Sequence, residues 1–453
     1  MSKRLIVILA LAFVVGLTCA AYAEVQNVKV SGDMIMTGFA RNTFDLKNGG
    51  AGDKRNDNES NIISQIRLRV DADLTDNVST TVRLINERSW GKEDNDSDAQ
   101  GKTNIDLDLA YVTLKEFLYS PLTVTVGRQD MRFGNGLIIG NARNYDTKVL
   151  GGVPSDLTER KAFDAVRATL NYDPLIIDLV AAKIVKHDPL RKEDTQLLGV
   201  NASYAVSKKI NVEGYFFSKR NSDKTNTYSN VKSDEVYTLG GLVSVDPLDG
   251  LKTSLEAAYQ FGTYNGVTYN SDGTYSKTGE DIARSAYAIQ AKADYAIPKF
   301  KKYSPSVGFM YTLLSGSKSH KLAHIWDSMY YDQALNNIAY AIIPFNNLQV
   351  INLIGKVKPM QDVTLIGNLG FYGRSTNDSA TMTAPNVDSS NSSYGSYTMT
   401  QKNYLGTELD LTATYDYTED VQFGLTAGLF APGKAFIDNH DATQLIGSMK
   451  VVF

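Results

Sequence analysis

The chain has 453 residues, of which 46 are Lys or Arg and 50 are Asp or Glu, and its net charge of −4 is not the balance of a nucleic-acid binder. Its one cysteine, Cys19, falls in an N-terminal leader, which leaves the rest of the chain without disulfides, thiolate metal ligands or a cysteine nucleophile. Tyr (26) and Gly (35) are frequent and Pro (11) is scarce, as expected of a chain that is apolar on every second residue and polar between.

Residues 1–23 read as a secretory signal peptide. Lys3 and Arg4 supply the positive start, Leu5 to Leu17 the apolar run, and Ala21-Tyr22-Ala23 the cleavage site. Thr18 fits poorly before a lipidated Cys19. The mature chain is expected to begin near Glu24, and losing Lys3 and Arg4 takes its charge to −6. Nothing after the leader approaches eighteen uninterrupted apolar residues, so no spanning helix is expected. No linker divides 24–453, which therefore reads as a single domain.

Period-two alternation dominates this domain. It predicts strands at 28–42, 62–74, 78–90, 105–118, 122–133, 162–172, 175–185, 195–205, 210–220, 234–245, 251–262, 283–296, 306–316, 347–358, 363–372, 404–417, 421–430 and 442–453. In the second, Ile62, Ile66, Leu68 and Val70 fall on one side, and Gln65, Arg67, Arg69, Asp71 and Asp73 on the other. The links between strands alternate in length. Tight ones such as Thr75-Asp76-Asn77 and Asp173-Pro174 are followed by long polar ones such as 43–61, 134–161, 317–346 and 373–403. A soluble two-sheet fold has no reason to sort its links by parity, whereas a membrane barrel has short periplasmic turns and long outer loops. The expected fold is thus all-β, an antiparallel transmembrane barrel of about eighteen strands in the outer membrane of a diderm bacterium.

The last strand alternates through Leu445, Gly447, Met449 and Val451 to Phe453. This resembles the C-terminal signal read by the outer-membrane assembly machinery, which is accordingly an expected partner beside membrane lipid.

Four passages resemble the alginate-export family of outer-membrane barrels. They are Ala110 to Lys115, the stretch VGRQDMRFGNGLIIGNARN from Val126 to Asn144, Phe163 to Arg167, and the closing hairpin from Tyr404 to Phe436. The likeness runs from about residue 60 to the end and is architectural only between 186 and 346. It implies an eighteen-stranded channel with a charged, largely basic constriction that passes an anionic polysaccharide outward, with periplasmic export partners as a further possibility.

The residues themselves point to a charged interior. Arg67, Arg69, Arg83 and Arg167 have lumen parity. Arg128 has lipid parity with Val124 and Val126, and an arginine at the bilayer midplane costs about 2–4 kcal/mol. A bulge at Gly127 that turns Arg128 inward is therefore expected. Together with Arg132 and Arg143 these form the candidate solute path, because guanidinium groups bind carboxylate or sulfate by paired hydrogen bonds. The other reading is that they pair with Asp71, Asp73, Glu87, Asp106 and Asp108 and hold a wide lumen open. Glu408 and Asp410 also face inward, either as a counter-charge along the path or as neutralising partners for nearby arginines.

The 28-residue link from Gly134 to Lys161 either folds inward to constrict the pore or stays exposed. His324 to Ile343 either forms a short helix over the mouth or is a surface loop. His320 and His324 have metal spacing only on a helix and lack the intervening carboxylate of a zinc protease. The pairs His187-Asp188 and His440-Asp441 have no nearby serine, so no catalytic residue, metal or cofactor is expected. A substrate-selective channel for an anionic polymer leads. A general or small-solute-specific porin, and a structural barrel or surface adhesin, are the alternatives, and the expected solute is an anionic polysaccharide or a small anionic solute.

Overall fold

A computed structural model describes residues 26–47, 58–91, 105–142, 153–186, 194–221, 234–269, 275–300, 302–317, 324–333, 335–377, 381–383 and 396–453. The expected leader, Arg143, His187 and His320 lie outside these residues.

The strands are β1 (Asn27–Asn42), β2 (Glu59–Thr75), β3 (Val78–Ser89), β4 (Asp106–Leu114), β5 (Leu122–Gln129), β6 (Phe163–Asn171), β7 (Leu175–Lys186), β8 (Asp194–Ser207), β9 (Ile210–Asn221) and β10 (Asp234–Leu248). They continue as β11 (Leu251–Tyr269), β12 (Tyr275–Ala296), β13 (Ser306–Leu314), β14 (Leu348–Val357), β15 (Val363–Arg374), β16 (Thr381–Thr383), β17 (Ser396–Thr398), β18 (Tyr404–Asp416), β19 (Val421–Pro432) and β20 (Ala442–Val452). Among the described residues an α-helix, α1 (Asn337–Ile342), lies between β13 and β14.

Eighteen strands form one antiparallel sheet in which β1 pairs with both β2 and β20, so the sheet closes and no edge strand is left. β16 and β17 form a separate small hairpin within the link between β15 and β18, which alternation did not announce. Each segment read from alternation is a barrel strand. The largest discrepancy is the β11–β12 hairpin, whose ladder runs on to Tyr269↔Tyr275. The sequence of its tip is rich in Asn, Ser, Gly and Thr and shows no apolar alternation to read, and backbone pairing does not need one.

The outer face is apolar without being covered. Val30, Leu68, Val126, Leu198, Leu239 and Leu255 are 41–59% exposed. A continuous surface of this kind is unfavourable against water and natural against lipid. Tyr119, Tyr172, Tyr303 and Tyr417 are exposed in or beside the short links at one end. Phe216, Tyr237, Tyr259 and Phe261 touch ring to ring toward the other. Two aromatic belts thus bracket the apolar band. At the seam, Phe453 exchanges backbone hydrogen bonds with Gly32, at 2.8 and 3.0 Å.

The core of the molecule is made inside the barrel by two long links. In the first, Leu137, Ile138 and Ile139 are buried; in the second, Trp326, Tyr330, Ile338 and Ile342 are. The two meet in a parallel bridge at Ile139↔Tyr330, reinforced where Gly140 and Asn141 donate to the Tyr330 carbonyl at 2.8 and 2.9 Å. The described parts of the first link, 134–142 and 153–161, therefore fold inward and do not stay exposed. The second is neither a cover over the mouth nor an exposed loop: its helix is only six residues long and packs against β18, β19 and β20. Burying each of its large apolar side chains contributes roughly 1.5–3 kcal/mol, which favours an inward seat once the wall satisfies the backbone.

Candidate functional site

The wall satisfies that backbone with carboxylates. Glu213 on β9 accepts from the Gly134 amide at 2.7 Å, and Glu256 on β11 accepts from the Asn135 amide at 2.9 Å. Gln260 grips Asp327 from both sides, accepting from its amide at 2.9 Å and donating to its carbonyl at 2.7 Å. Lys219 donates to both oxygens of Asp327 at 2.7 and 2.8 Å. Burial opposes charge on Asp327, but Lys219 and Arg284 outweigh it and hold the carboxyl below its usual range.

Glu408 and Asp410 complete this grip. Ile338 and Ala339 donate to the two Glu408 oxygens at 2.7 Å each, and the backbone and side chain of Asn337 donate to Asp410 at 2.9 Å each. Both acids are buried, Glu408 completely. The sequence suggested either a counter-charge on the path or partners for arginine. The structure gives them the first amides of α1 instead, since a helix start leaves N–H groups that need acceptors.

The arginines are each engaged by acids. Arg67 pairs with its cross-strand neighbour Asp33 at 2.5 Å and with Glu159 of the first in-folded link at 3.0 Å. Arg69 forms a two-pronged bond to Asp71 at 2.7 and 2.8 Å. Arg83 bonds to Asp108 at 2.5 Å and reaches Asp130 at 3.4 Å. Arg167 bonds to Asp178 at 2.8 Å with its guanidinium over the Phe133 ring. Arg132 pairs with Asp332, joining the two links. Arg143 lies outside the described residues.

Arg128 departs from the expectation. β5 pairs with β4 and β6 without a shift through Gly127, so there is no bulge and Arg128 stays in step with the exposed Val126. Its charge is met by Asp164, its register partner on β6, at 3.3 Å. The two lie near the ends of their strands that carry the long link, and the midplane penalty falls to about 0–1 kcal/mol toward the interface. Gly127 does have a special conformation, φ +126°, and a Cβ there would sit 2.1 Å from the Ala110 carbonyl oxygen.

Other contributors escaped the sequence reading. Arg160 joins Glu87 at 3.0 Å and Asp106, and Arg41 joins Asp156. Lys161 and Arg132 share Asp332. Glu87 and Asp106 are thus paired acids as foreseen, but with an arginine of the link, not of the wall. The available signal was Glu213 and Glu256, acids at lumen parity with no basic residue at the adjacent same-face positions of their own strands.

Between the links and the wall of β1, β2 and β20 lies a cavity of about 410 Å³, bordered by Thr37, Asp156, Glu159, Asp332, Tyr340 and Ser448 among others. Burial first, then the charges of Asp156 and Asp332, keep the Tyr340 hydroxyl protonated.

A closed eighteen-stranded tube, apolar outside and charged within, with two links folded into its bore, defines an outer-membrane β-barrel channel. The model of the alginate-export family matches residues 35–445, and the chain belongs to that family. No curated protein sequence matches it. Among solved structures the chain is similar to Pseudomonas aeruginosa OccK8 (OprE), with a TM-score of 0.56 and 11% identity over 95% of this chain and 99% of that one. It is also similar to Acinetobacter baumannii OccAB1 (TM-score 0.56, 12% identity, 95% and 97% covered) and to Pseudomonas aeruginosa OccK11 (OpdR) (0.54, 10%, 94% and 96%). At these identities the likeness is one of fold.

Proposed function

We propose that this barrel is a substrate-selective channel that passes an acidic glycan outward, as the name of its family suggests. The observation that carries the reading is the set of guanidinium groups on Arg67, Arg69, Arg83, Arg132 and Arg167, each holding a carboxylate. A guanidinium that already grips a carboxylate has the fork geometry for a uronate. Exchanging one carboxylate for another costs little net charge separation, so a chain of uronates can be handed along. The short links would face the periplasm, where an export partner would deliver the chain, and the exposed ring of Phe453 suits handling by the assembly machinery. No catalytic role is assigned.

A second reading, a porin for small solutes, is favoured by the balance of charge, because Arg67, Arg69, Arg83, Arg132 and Arg167 are each matched by an acid. Planar-bilayer recordings decide between them. The glycan channel prefers anions and is blocked by polyuronate; Arg83→Ala weakens both effects, while Arg128→Ala, on the outer face, leaves them unchanged. Equal or preferential passage of cations without block refutes the glycan reading in favour of the porin. A barrel silent at every voltage supports the structural or adhesin reading.

A further inference from the structure

We propose that the cavity enclosed by the two in-folded links and the β1–β2–β20 wall binds a neutral, hydroxyl-rich sugar ring. The proposal rests on the reading that saccharides enter this interior, and it assigns them a subsite with a different preference from that of the arginines.

The volume of about 410 Å³ falls within the roughly 300–1,000 Å³ of small-molecule sites. Apolar surface comes from Ile35, Leu157 and Ile446, which suits the C–H faces of a pyranose. The polar lining mixes amides, hydroxyls and Lys161 with three carboxylates. Asp156, Glu159 and Asp332 each border the space, and each is already matched by a cation: Arg41, Arg67, and Lys161 with Arg132, respectively. Carboxylates balanced in this way keep lone pairs for vicinal hydroxyls. Matched in this way, they give the cavity no excess charge of either sign to draw an ionic sugar in preference to a neutral one.

Asp156 supplies the independent observation. Its side chain is 3% exposed and one oxygen is taken by Arg41, yet Oδ1 accepts no hydrogen bond. Buried acceptors are normally satisfied, and a ligand hydroxyl would satisfy this one. The protonated Tyr340 hydroxyl and the wall hydroxyls of Thr37 and Ser448 can serve a sugar as donors.

The test is titration calorimetry on the purified full-length barrel in detergent micelles, with cellobiose, maltose, lactose and mannobiose as neutral probes and glucuronosyl-glucose as the acidic one. At least one neutral disaccharide should bind, at least tenfold tighter than the acidic one. Ser448→Phe, which fills the cavity from the wall without touching an ion pair, should abolish that binding. Asp156→Asn should weaken it by about tenfold or more. Should Asp156→Asn fail to fold for want of a partner for Arg41, Ser448→Phe carries the test, with the barrel's heat-dependent gel mobility showing that it is intact. Absence of binding by all four neutral sugars, tighter binding of the acidic one, or binding that survives Ser448→Phe overturns the proposal. Polyuronate block that persists without neutral-sugar binding overturns the subsite and leaves the channel reading standing, whereas loss of both overturns both.

Discussion

Removing the Glu408 carboxylate should unseat α1 and open the bore. In Glu408→Ala the amides of Ile338 and Ala339 lose their acceptors at 2.7 Å and remain buried. Leaving a buried donor without an acceptor costs about 1–3 kcal/mol, so with two stranded amides the seat loses about 2–6 kcal/mol. Part of this is offset because a buried carboxylate no longer has to be desolvated, and about 1–4 kcal/mol remains. At about 1.4 kcal/mol per tenfold, the undocked population rises by roughly 5- to 1,000-fold. The ladder of β18 with β15 and β19 is made by backbone groups and stays intact. Single-channel conductance should therefore rise, and the 324–346 link should become open to protease, while heat-dependent gel mobility reports an unchanged barrel. Glu408→Gln keeps one acceptor and should show a smaller effect. Unaltered conductance and protection in a folded Glu408→Ala barrel would refute the view that this carboxylate seats the link.

Arg83→Ala strands Asp108, whose side chain is 1% exposed, and should destabilise the barrel by about 3–5 kcal/mol in urea titrations; Arg83→Ala with Asp108→Ala should recover most of that loss. Arg69→Ala breaks a pair that is about one-third exposed and should cost no more than about 1 kcal/mol in the same assay. Gly127→Ala forces a side chain onto the Ala110 carbonyl at a φ of +126° and should cost about 1–3 kcal/mol, read as a lower melting temperature of the folded band. Asp327 has its carboxyl held below the usual range, so its contribution is complete above the ordinary carboxylate pKa and is lost as pH falls through the lower folded value. Protease protection of the 324–346 link should accordingly be flat from pH 7 to pH 5 and decline only below about pH 4.

The strands were legible because alternation is imposed on every residue of the wall: Ile66 and Leu68 must face lipid, while Gln65 and Arg67 must not. The two in-folded links were less legible because no period governs them. The apolar run Leu137 to Ile139 and the aromatic-rich stretch Trp326 to Tyr331, interrupted by Asp327 and Ser328, fit a surface patch or a buried plug equally well. What decides is whether the wall offers acceptors for their amides, and Glu213, Glu256, Glu408 and Asp410 do so from strands far away in sequence. The error at Arg128 has a related origin. Parity was read correctly, but the height of the residue was not, and only the position of Asp164 across the β5–β6 ladder shows that the charge is met without a change of register.

The interior thus divides by the kind of partner its charges find. On β2, β3 and β6, arginines meet wall acids, so side-chain charge is spent within the wall. On β9, β11 and β18, wall acids meet backbone amides of the in-folded links, and that part of the wall serves as a socket. An arginine introduced beside Glu213, Glu256 or Glu408 would compete with those amides for the same oxygens. Among the described residues these acids spend their oxygens on backbone amides and not on arginines, and a count of lumen arginines alone understates how the bore is organised.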